Sequence, residues 1–262
     1  MCFDLNSRPP IPPIAGGATD ARDLVLTSAD GTRFAAYAAR AARPTGAGMV
    51  VLPDVRGLHT YYKELAERFA EVGVDAVAID YFARTAGLDG RGEGFDFMPH
   101  VGQTRPETLQ ADISAGAAFL RSAEGGRVRA LFSVGFCFGG AISFLQAASG
   151  LGYAGVIGFY GWPLGLSRWP ERPKPIDAVS RFACPALAIY GGADPGIPES
   201  AIHEFDAALD RAGVTRETVT YPGAPHSFFD RQQAQFAEAS ADAWRRVQAF
   251  IGAHAKPATG GR

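Results

Sequence analysis

The run Gly135-Phe136-Cys137-Phe138-Gly139-Gly140 constrains the fold of this chain more than any other stretch. The apolar segment before it, 128–134, predicts a short buried strand, and the apolar segment after it, 141–148, predicts a helix. A sharp turn between the two needs residues without bulk at Gly135 and Gly139. Cys137 stands where the G-x-S-x-G pattern has its serine, so the run predicts a thiol nucleophile at a helix N-terminus.

This pattern also has a simpler interpretation, because free cysteines are among the most buried residue types and a five-residue match is short. Two downstream residues favour the catalytic interpretation. Asp194 follows the apolar strand 186–191 and a glycine turn, and His226 follows the strand 217–221 in a loop that contains glycine and proline. An aspartate before proline is also a common turn signal. The order nucleophile, acid, histidine, each after a strand, predicts the triad Cys137, Asp194 and His226.

Eight segments have strand-like composition, and after a first hairpin they alternate with helical stretches. The segments are 24–27, 33–39, 48–52, 75–79, 128–135, 155–160, 186–191 and 217–221. This alternation predicts an α/β fold with a mostly parallel central sheet and helices on both faces. With 262 residues, 47% of them hydrophobic, the chain is long enough for one large core. We expect an extended proline-rich arm over residues 1–18 and a single domain over residues 19–262.

Several classes of protein are excluded by composition. The net charge of −2 gives no basic field for nucleic acid, and no apolar run is long enough for a membrane span. No phosphate loop or dinucleotide motif is present, and the three cysteines, like the five histidines, lack metal-ligand spacing. We therefore expect no cofactor, no metal, and no nucleic-acid or membrane partner. The first residues have no apolar signal-peptide core, so a cytoplasmic location is expected.

From about residue 23 to residue 254 the chain resembles the dienelactone hydrolases, or carboxymethylenebutenolidases, a family of alpha/beta-hydrolases. The motifs that carry the resemblance are G-x-C-x-G-G at Cys137, G-G-x-D at Asp194 and P-H-S-F at His226. Two more stretches match, Leu-Pro-Asp-Val-Arg-Gly at 52–57 and Asp-Tyr-Phe-Ala-Arg at 80–84. The resemblance implies an alpha/beta-hydrolase fold and a carboxylic ester hydrolase.

The same resemblance implies roles for further residues. Asp54 occupies the position of a family glutamate that holds the resting thiol, and the backbone N–H groups of Val55 and Phe138 form the oxyanion hole. Arg84 matches an arginine that binds the substrate carboxylate, and Tyr160 and Ser227 fall at pocket-lining positions.

One family position is changed in this chain. The second carboxylate-binding arginine is replaced by Asp230, with Arg231 one place later. A negative charge there would disfavour an anionic substrate unless it points away or pairs with Arg231.

The predicted function is hydrolysis of an activated ester or lactone through a cysteine triad and a thioester intermediate. A thiolate is also a good leaving group, so an activated substrate such as an enol lactone suits it. Two alternatives stay open: a broad carboxylesterase or thioesterase on the same triad, and a non-hydrolytic small-molecule-binding or redox-sensing thiol protein. The expected partner is a small ester or lactone, and the protein is expected to be a monomer or weak homo-oligomer.

Two long segments without a regular period, 84–105 and 162–180, follow strand ends on the side of the triad. Loops of this length in a compact domain are usually functional, so both are predicted to wall the pocket. The aromatic residues that we expect to line it are Phe95, Phe97, Trp162 and Trp169.

Overall fold

A computed structural model describes residues 4, 6–92, 94–166 and 171–255. One sheet contains all eight predicted strands, so the predicted α/β fold is confirmed. The strands are β1 (Ala18–Thr27), β2 (Arg33–Ala41), β3 (Ala47–Leu52), β4 (Val74–Ile79), β5 (Ala130–Phe136), β6 (Tyr153–Phe159), β7 (Ala186–Gly191) and β8 (Arg216–Tyr221). Their order across the sheet is β1-β2-β4-β3-β5-β6-β7-β8.

Strands β3 to β8 run parallel to one another, whereas β2 pairs in antiparallel fashion with both β4 and the edge strand β1. Every residue of β3, β4, β5 and β7 is buried, which explains why these strands are nearly continuous apolar runs. The carboxyl ends of parallel strands lie at one edge of a sheet. The loops that follow β3, β5, β6 and β7 therefore converge at that edge.

Eight α-helices accompany the sheet in the described part of the chain. They are α1 (Thr60–Glu71), α2 (Ala83–Ala86), α3 (Phe97–Gln103), α4 (Pro106–Arg121), α5 (Phe138–Gln146), α6 (Pro175–Ala178), α7 (Glu199–Arg211) and α8 (Ala237–His254). Helix α1 packs on β2 and β4, α4 on β3 and β4, and α5 on β5 and β6. Within the described ranges, no helix combines the length and the apolar composition that crossing a bilayer requires.

Two differences from the sequence prediction are larger than shifts of one or two residues at strand ends. Strand β1 begins at Ala18 instead of residue 24, because its early residues pair with β2 although most of their side chains are exposed. The segment 84–105 contains α3 and the end of α2, whereas no regular structure was predicted there. Both elements are stabilised by tertiary contacts that a local hydrophobic pattern does not report.

The proline-rich arm is attached to the body of the protein around Arg8. The Arg8 N–H donates to Asp230 Oδ1 at 3.2 Å, and the Arg231 N–H donates to the Arg8 carbonyl at 2.9 Å. Arg8 also forms an ion pair with Glu64 of α1, with 2.9 Å between Nε and Oε1, and the adjacent Ser7 is fully buried. The arm therefore docks against the loop that follows His226.

Candidate active site

Cys137 lies at the turn between β5 and α5. Its φ of 56° and ψ of −114° place it in a region that non-glycine residues rarely occupy, and its side chain is buried. A Cβ atom on Gly139 would lie 2.2 Å from the Leu52 carbonyl oxygen and 2.3 Å from that of Pro53. The glycine is therefore required for close approach, and the turn packs directly against the end of β3.

Asp194 and His226 are brought together from two strand ends. The Asp194 Oδ2 lies 2.6 Å from the His226 Nδ1, and the Asp194 Oδ1 accepts the Gly196 N–H at 2.8 Å. Since a carboxylate only accepts, Nδ1 carries the proton of a neutral imidazole. The other ring nitrogen, Nε2, is buried and has no hydrogen-bond partner among the described residues. The arrangement leaves Nε2 available as a base.

Two aromatic side chains hold the imidazole of His226. The Tyr160 ring lies 4.8 Å from it, and Trp162 stacks on it at 5.4 Å with an interplanar angle of 21°. Tyr160 and Ser227 both have positive φ angles, 39° and 61°, and both are buried. The structure therefore places Tyr160 against the histidine and Ser227 immediately after it, and their contact with substrate stays a prediction.

Asp54 is fully buried just beyond β3, and its carboxylate is held by Arg56. Oδ1 accepts the Arg56 backbone N–H at 2.8 Å and its Nε at 3.2 Å, and Oδ2 accepts Nη2 at 2.8 Å. The Tyr62 hydroxyl accepts the Asp54 N–H at 3.0 Å. Val55, one of the two predicted oxyanion donors, is buried in the same turn, and Phe138, the other, is the first residue of α5.

Arg84 faces two carboxylates of the protein. Its Nη1 lies 2.6 Å from Asp112 Oδ2, and its Nη2 lies 2.9 Å from Asp30 Oδ2. Asp112 is buried, and this burial raises the pKa of its carboxyl although Arg84 and the hydroxyl of Ser28 oppose the shift. A substrate carboxylate would have to join this cluster. The role of Arg84 in substrate binding stays a prediction.

A cavity of about 320 Å³ opens between α4 and α5. Helix α5 contributes Phe138, Ala141, Ile142 and Leu145, and α4 contributes Leu109 and Ile113. The loop after β6 contributes Trp162, Leu166 and Arg172, as predicted for the segment 162–180.

The prediction that the segment 84–105 forms a wall of the pocket is wrong, because no described residue of 84–105 lines the cavity. Phe95 instead stacks on His100 at 5.0 Å, and Val101 of α3 accepts a hydrogen bond from Arg172 Nη2 at 2.5 Å. Phe97 is not a lining residue either, and Trp169 lies outside the described residues.

Sequence reasoning missed two arginines that shape the site. Arg56 is two residues from Asp54, and this short spacing is a signal that could have identified the pair. Arg172 lies in an irregular loop, and nothing in the local sequence indicates that its guanidinium stacks over the Phe138 ring, 5.0 Å from the centroid. Cys184, by contrast, has an apolar environment in which burial raises the pKa of the thiol to about 12, so it is an unreactive cysteine.

The parallel sheet, the strained residue at the strand-to-helix turn, and the acid and histidine after later strands define an alpha/beta-hydrolase fold. The chain belongs to the dienelactone hydrolase family, whose model matches residues 34–255. It is therefore a hydrolase of that family, which confirms the resemblance.

Several curated relatives carry the name "Putative carboxymethylenebutenolidase", among them one from Methylorubrum extorquens and one from Escherichia coli K12. The relative from Methylorubrum extorquens is 31% identical over 242 residues, which cover 88% of this chain and 82% of the relative. The relative from Escherichia coli K12 is 28% identical over 225 residues, which cover 83% of this chain and 81% of the relative. A crystal structure of a protein from Klebsiella pneumoniae, described as a "Putative Dienelactone Hydrolase", matches with a TM-score of 0.76 and 26% identity. The match covers 89% of this chain and 99% of the Klebsiella chain.

Proposed function

We propose that the protein hydrolyses an activated ester or lactone through Cys137, His226 and Asp194. The observation that carries this proposal is the 2.6 Å contact between Asp194 and the imidazole Nδ1, which leaves a buried Nε2 with no hydrogen-bond partner in the described structure. An imidazole oriented in this way by a carboxylate is suited to take a proton from a nucleophile. Cys137 has the strained backbone that presents a nucleophile at the N-terminus of α5.

In the proposed reaction, His226 Nε2 accepts the thiol proton and the Cys137 sulfur attacks the substrate carbonyl carbon. The backbone N–H groups of Val55 and Phe138 stabilise the oxyanion that forms. When the intermediate collapses, the carbon–oxygen bond breaks and the alkoxide takes the proton from the imidazolium. Water that gives a proton to His226 then attacks the thioester carbonyl carbon. The carbon–sulfur bond breaks, the carboxylic acid is released, and the thiolate takes the proton back from the imidazolium.

The substrate must have a good leaving group. A thiolate leaves more easily than an ordinary alkoxide, so attack on an unactivated ester tends to reverse. Enol lactones and aryl esters satisfy this requirement. The apolar cavity beside Phe138 also favours the second candidate function, a broader carboxylesterase, because it accepts groups larger than a small lactone.

The test is steady-state and burst kinetics with an aryl ester. Cys137→Ala, His226→Ala and Asp194→Asn should each lower kcat by roughly three orders of magnitude or more, because removal of one triad member has that effect elsewhere. Cys184→Ser is the matched control, since that thiol is buried with a raised pKa. If Cys137→Ala keeps its fold and most of its activity, the triad is not the catalytic apparatus. Loss of the thiol under mild peroxide in a wild-type protein that has no esterase activity would instead support the redox-sensing function.

We also propose that Asp54 restrains the resting thiol. Because Arg56 holds both of its oxygens, the restraint must involve a rearrangement of this ion pair. In a Cys2→Ser background, iodoacetamide alkylation of Cys137 should change its pH dependence in both Asp54→Ala and Arg56→Ala. Profiles identical to the parent protein would exclude Asp54 from the mechanism.

A reactive thiol must stay reduced, so we propose that the protein works in the cytoplasm.

A further inference from the structure

Asp80 follows strand β4 and joins two loops at the carboxyl edge of the sheet. Its carboxylate is buried: Oδ1 accepts the backbone N–H of Leu58 at 3.1 Å, and Oδ2 accepts that of Phe82 at 2.8 Å. Leu58 belongs to the loop after β3, and Phe82 to the loop after β4. One buried carboxylate therefore connects the loop that contains Asp54 and Val55 to the end of the neighbouring strand.

The turn 54–57 packs directly against this carboxylate. Gly57 has a φ of 76°, and a Cβ atom on it would lie 2.6 Å from Asp80 Oδ1. The Tyr81 hydroxyl adds a second contact, because it donates to the Pro53 carbonyl at 3.1 Å. The position of Val55 in this turn therefore depends on the residues that hold Asp80 in place.

Arg91 is a residue that holds Asp80. Its Nε donates to Oδ1 at 3.2 Å and its Nη2 to Oδ2 at 2.8 Å, and both side chains are buried. Nη1 donates to the Asp89 carbonyl and Nη2 also to the Gly87 carbonyl, each at 2.7 Å. The guanidinium lies over the Phe95 ring, 4.8 Å from its centroid. All three nitrogens thus bind acceptors of the protein, which indicates a structural contact and not a substrate contact.

Loss of this cation would disturb the turn. A buried carboxylate without a partner is unfavourable, so Asp80 would move toward water or take up a proton. Either change alters the acceptor that fixes the Leu58 N–H, and with it the turn 54–57. Catalysis is sensitive to such shifts, since a group displaced by about 1 Å from its productive position can cost about a hundredfold in rate.

We propose that Arg91 is a positioning residue: through Asp80 it fixes the turn 54–57, and thereby the Val55 N–H that stabilises the oxyanion. This inference rests on the proposed function for the role of Val55. Arg91 acts only through Asp80 and does not touch the substrate.

A matched ion pair lies at the amino end of the same strand and provides the control. Asp75 is fully buried, and its Oδ1 accepts Arg40 Nε at 3.0 Å and the Ala41 backbone N–H at 2.9 Å. Asp75 and Asp80 thus lie at opposite ends of β4. Arg40→Met removes an arginine from a buried aspartate of β4 and leaves the loop after β3 untouched.

The kinetic test uses a neutral aryl ester. Arg91→Met should lower kcat by roughly tenfold to a hundredfold and change KM less than about threefold, because the oxyanion contact strengthens only in the transition state. Arg91→Lys keeps the charge without the planar fork, so its kcat should fall about three- to tenfold. Arg40→Met should keep kcat within about threefold of wild type although it also loses stability.

All variants are assayed at a temperature at which circular dichroism shows them folded. If Arg91→Met does not fold, Arg91→Lys decides the result. Equal losses of kcat in the Arg91 and Arg40 variants would show a general effect of lost stability and overturn the proposal. A kcat within threefold of wild type in Arg91→Met, or within twofold in Arg91→Lys, would also overturn it.

Amide hydrogen exchange separates this inference from the proposed function. Measured by mass spectrometry, exchange of peptides that cover 53–58 should become at least tenfold faster in Arg91→Met, and exchange of peptides that cover 136–146 should stay unchanged. This result decides alone if the protein has no triad-dependent esterase activity, because it does not involve Cys137. Unchanged exchange over 53–58 would overturn the positioning role of Arg91 even if the triad is catalytic.

Discussion

His59 is a buried imidazole at the N-terminus of α1, and neither ring nitrogen has a hydrogen-bond partner in the part of the chain that the structure describes. Its ring packs edge-on against Tyr62, with centroids 5.0 Å apart. Burial lowers the pKa of His59 to about 4, and the positive charges of Arg56 and Arg8 add to this effect while Asp54 opposes it. The folded state therefore disfavours the protonated ring.

This residue should make stability depend on pH. The unfolded chain protonates His59 below about pH 6.5, whereas the folded chain does so only near pH 4, so its contribution is fully present above pH 6.5 and is lost as the pH falls toward 4. When the pH falls from about 7 to about 4.5, the free energy of unfolding should decrease in both proteins. The decrease should be roughly 2–3 kcal/mol smaller in His59→Phe than in wild type. Urea denaturation at the two pH values measures this. His203→Gln, at an exposed position, is the control, and equal losses in wild type and His59→Phe would contradict the prediction.

At the scale of single residues, the sequence predicted what local chemistry determines. Cys137, Asp194 and His226 each follow a predicted strand and lie among glycines or prolines, so their placement at strand ends could be predicted. The pairing of Arg84 with Asp112 joins residues 28 positions apart, and the contact of Arg172 with Phe138 joins residues 34 positions apart. Such partners depend on the packing of loops and helices, for which the sequence carries no periodic signal.

Helix α5 shows how one residue determines the position of an element. Gly139 lies in its first turn, and an added methyl group would collide with two backbone carbonyl oxygens of the β3 end, at 2.2 Å and 2.3 Å. Carbonyls of a buried strand end cannot move as a side chain can. Gly252 in α8 is also helical, but no atom lies within 4 Å of the same added group.

The two glycines should respond to alanine in opposite directions. Gly139→Ala should lower the free energy of unfolding by roughly 3 kcal/mol and reduce turnover, because it displaces the Val55 turn from α5. Gly252→Ala should raise stability by about 0.5–1 kcal/mol through helix propensity and leave kcat unchanged. Chemical denaturation and aryl-ester kinetics on both variants provide the measurement. A Gly139→Ala variant as stable and active as wild type would mean that the turn between β5 and α5 does not need this close approach.

Elements with a strong hydrophobic pattern were predicted within a few residues, as α5 and β7 show. Short helices such as α3 were missed, because seven residues give too little period to recognise and its stability comes from contacts such as that between Arg172 and Val101. The first half of β1 was missed for a related reason. Its residues pair along an exposed sheet edge, where polar side chains hide the strand pattern.

At the scale of the whole molecule, the N-terminal arm changes the interpretation of Asp230. By resemblance this position belongs to substrate binding, and the sequence left open whether its charge points away or pairs with Arg231. The structure turns the carboxylate toward the backbone: Oδ1 accepts the N–H groups of Arg8 and Gln232, at 3.2 Å and 3.1 Å. Asp230 is buried, and it is not among the residues that line the cavity. Its contacts connect the arm to the His226 loop across more than 220 positions of sequence, a distance over which no local pattern extends.

Asp230→Arg therefore tests whether this position serves the arm or the substrate. An arginine there places a cation against two backbone N–H groups and beside Arg8, so we expect the free energy of unfolding to fall by roughly 3 kcal/mol, with no gain in preference for anionic esters. Asp230→Asn keeps an acceptor oxygen and should lose only about 0.5–1.5 kcal/mol. Urea denaturation and the ratio of kcat/KM for an anionic ester to that for its neutral isostere are measured on both variants. If Asp230→Arg instead unfolds like wild type and raises that ratio, the position faces the substrate, and the arm does not depend on its carboxylate.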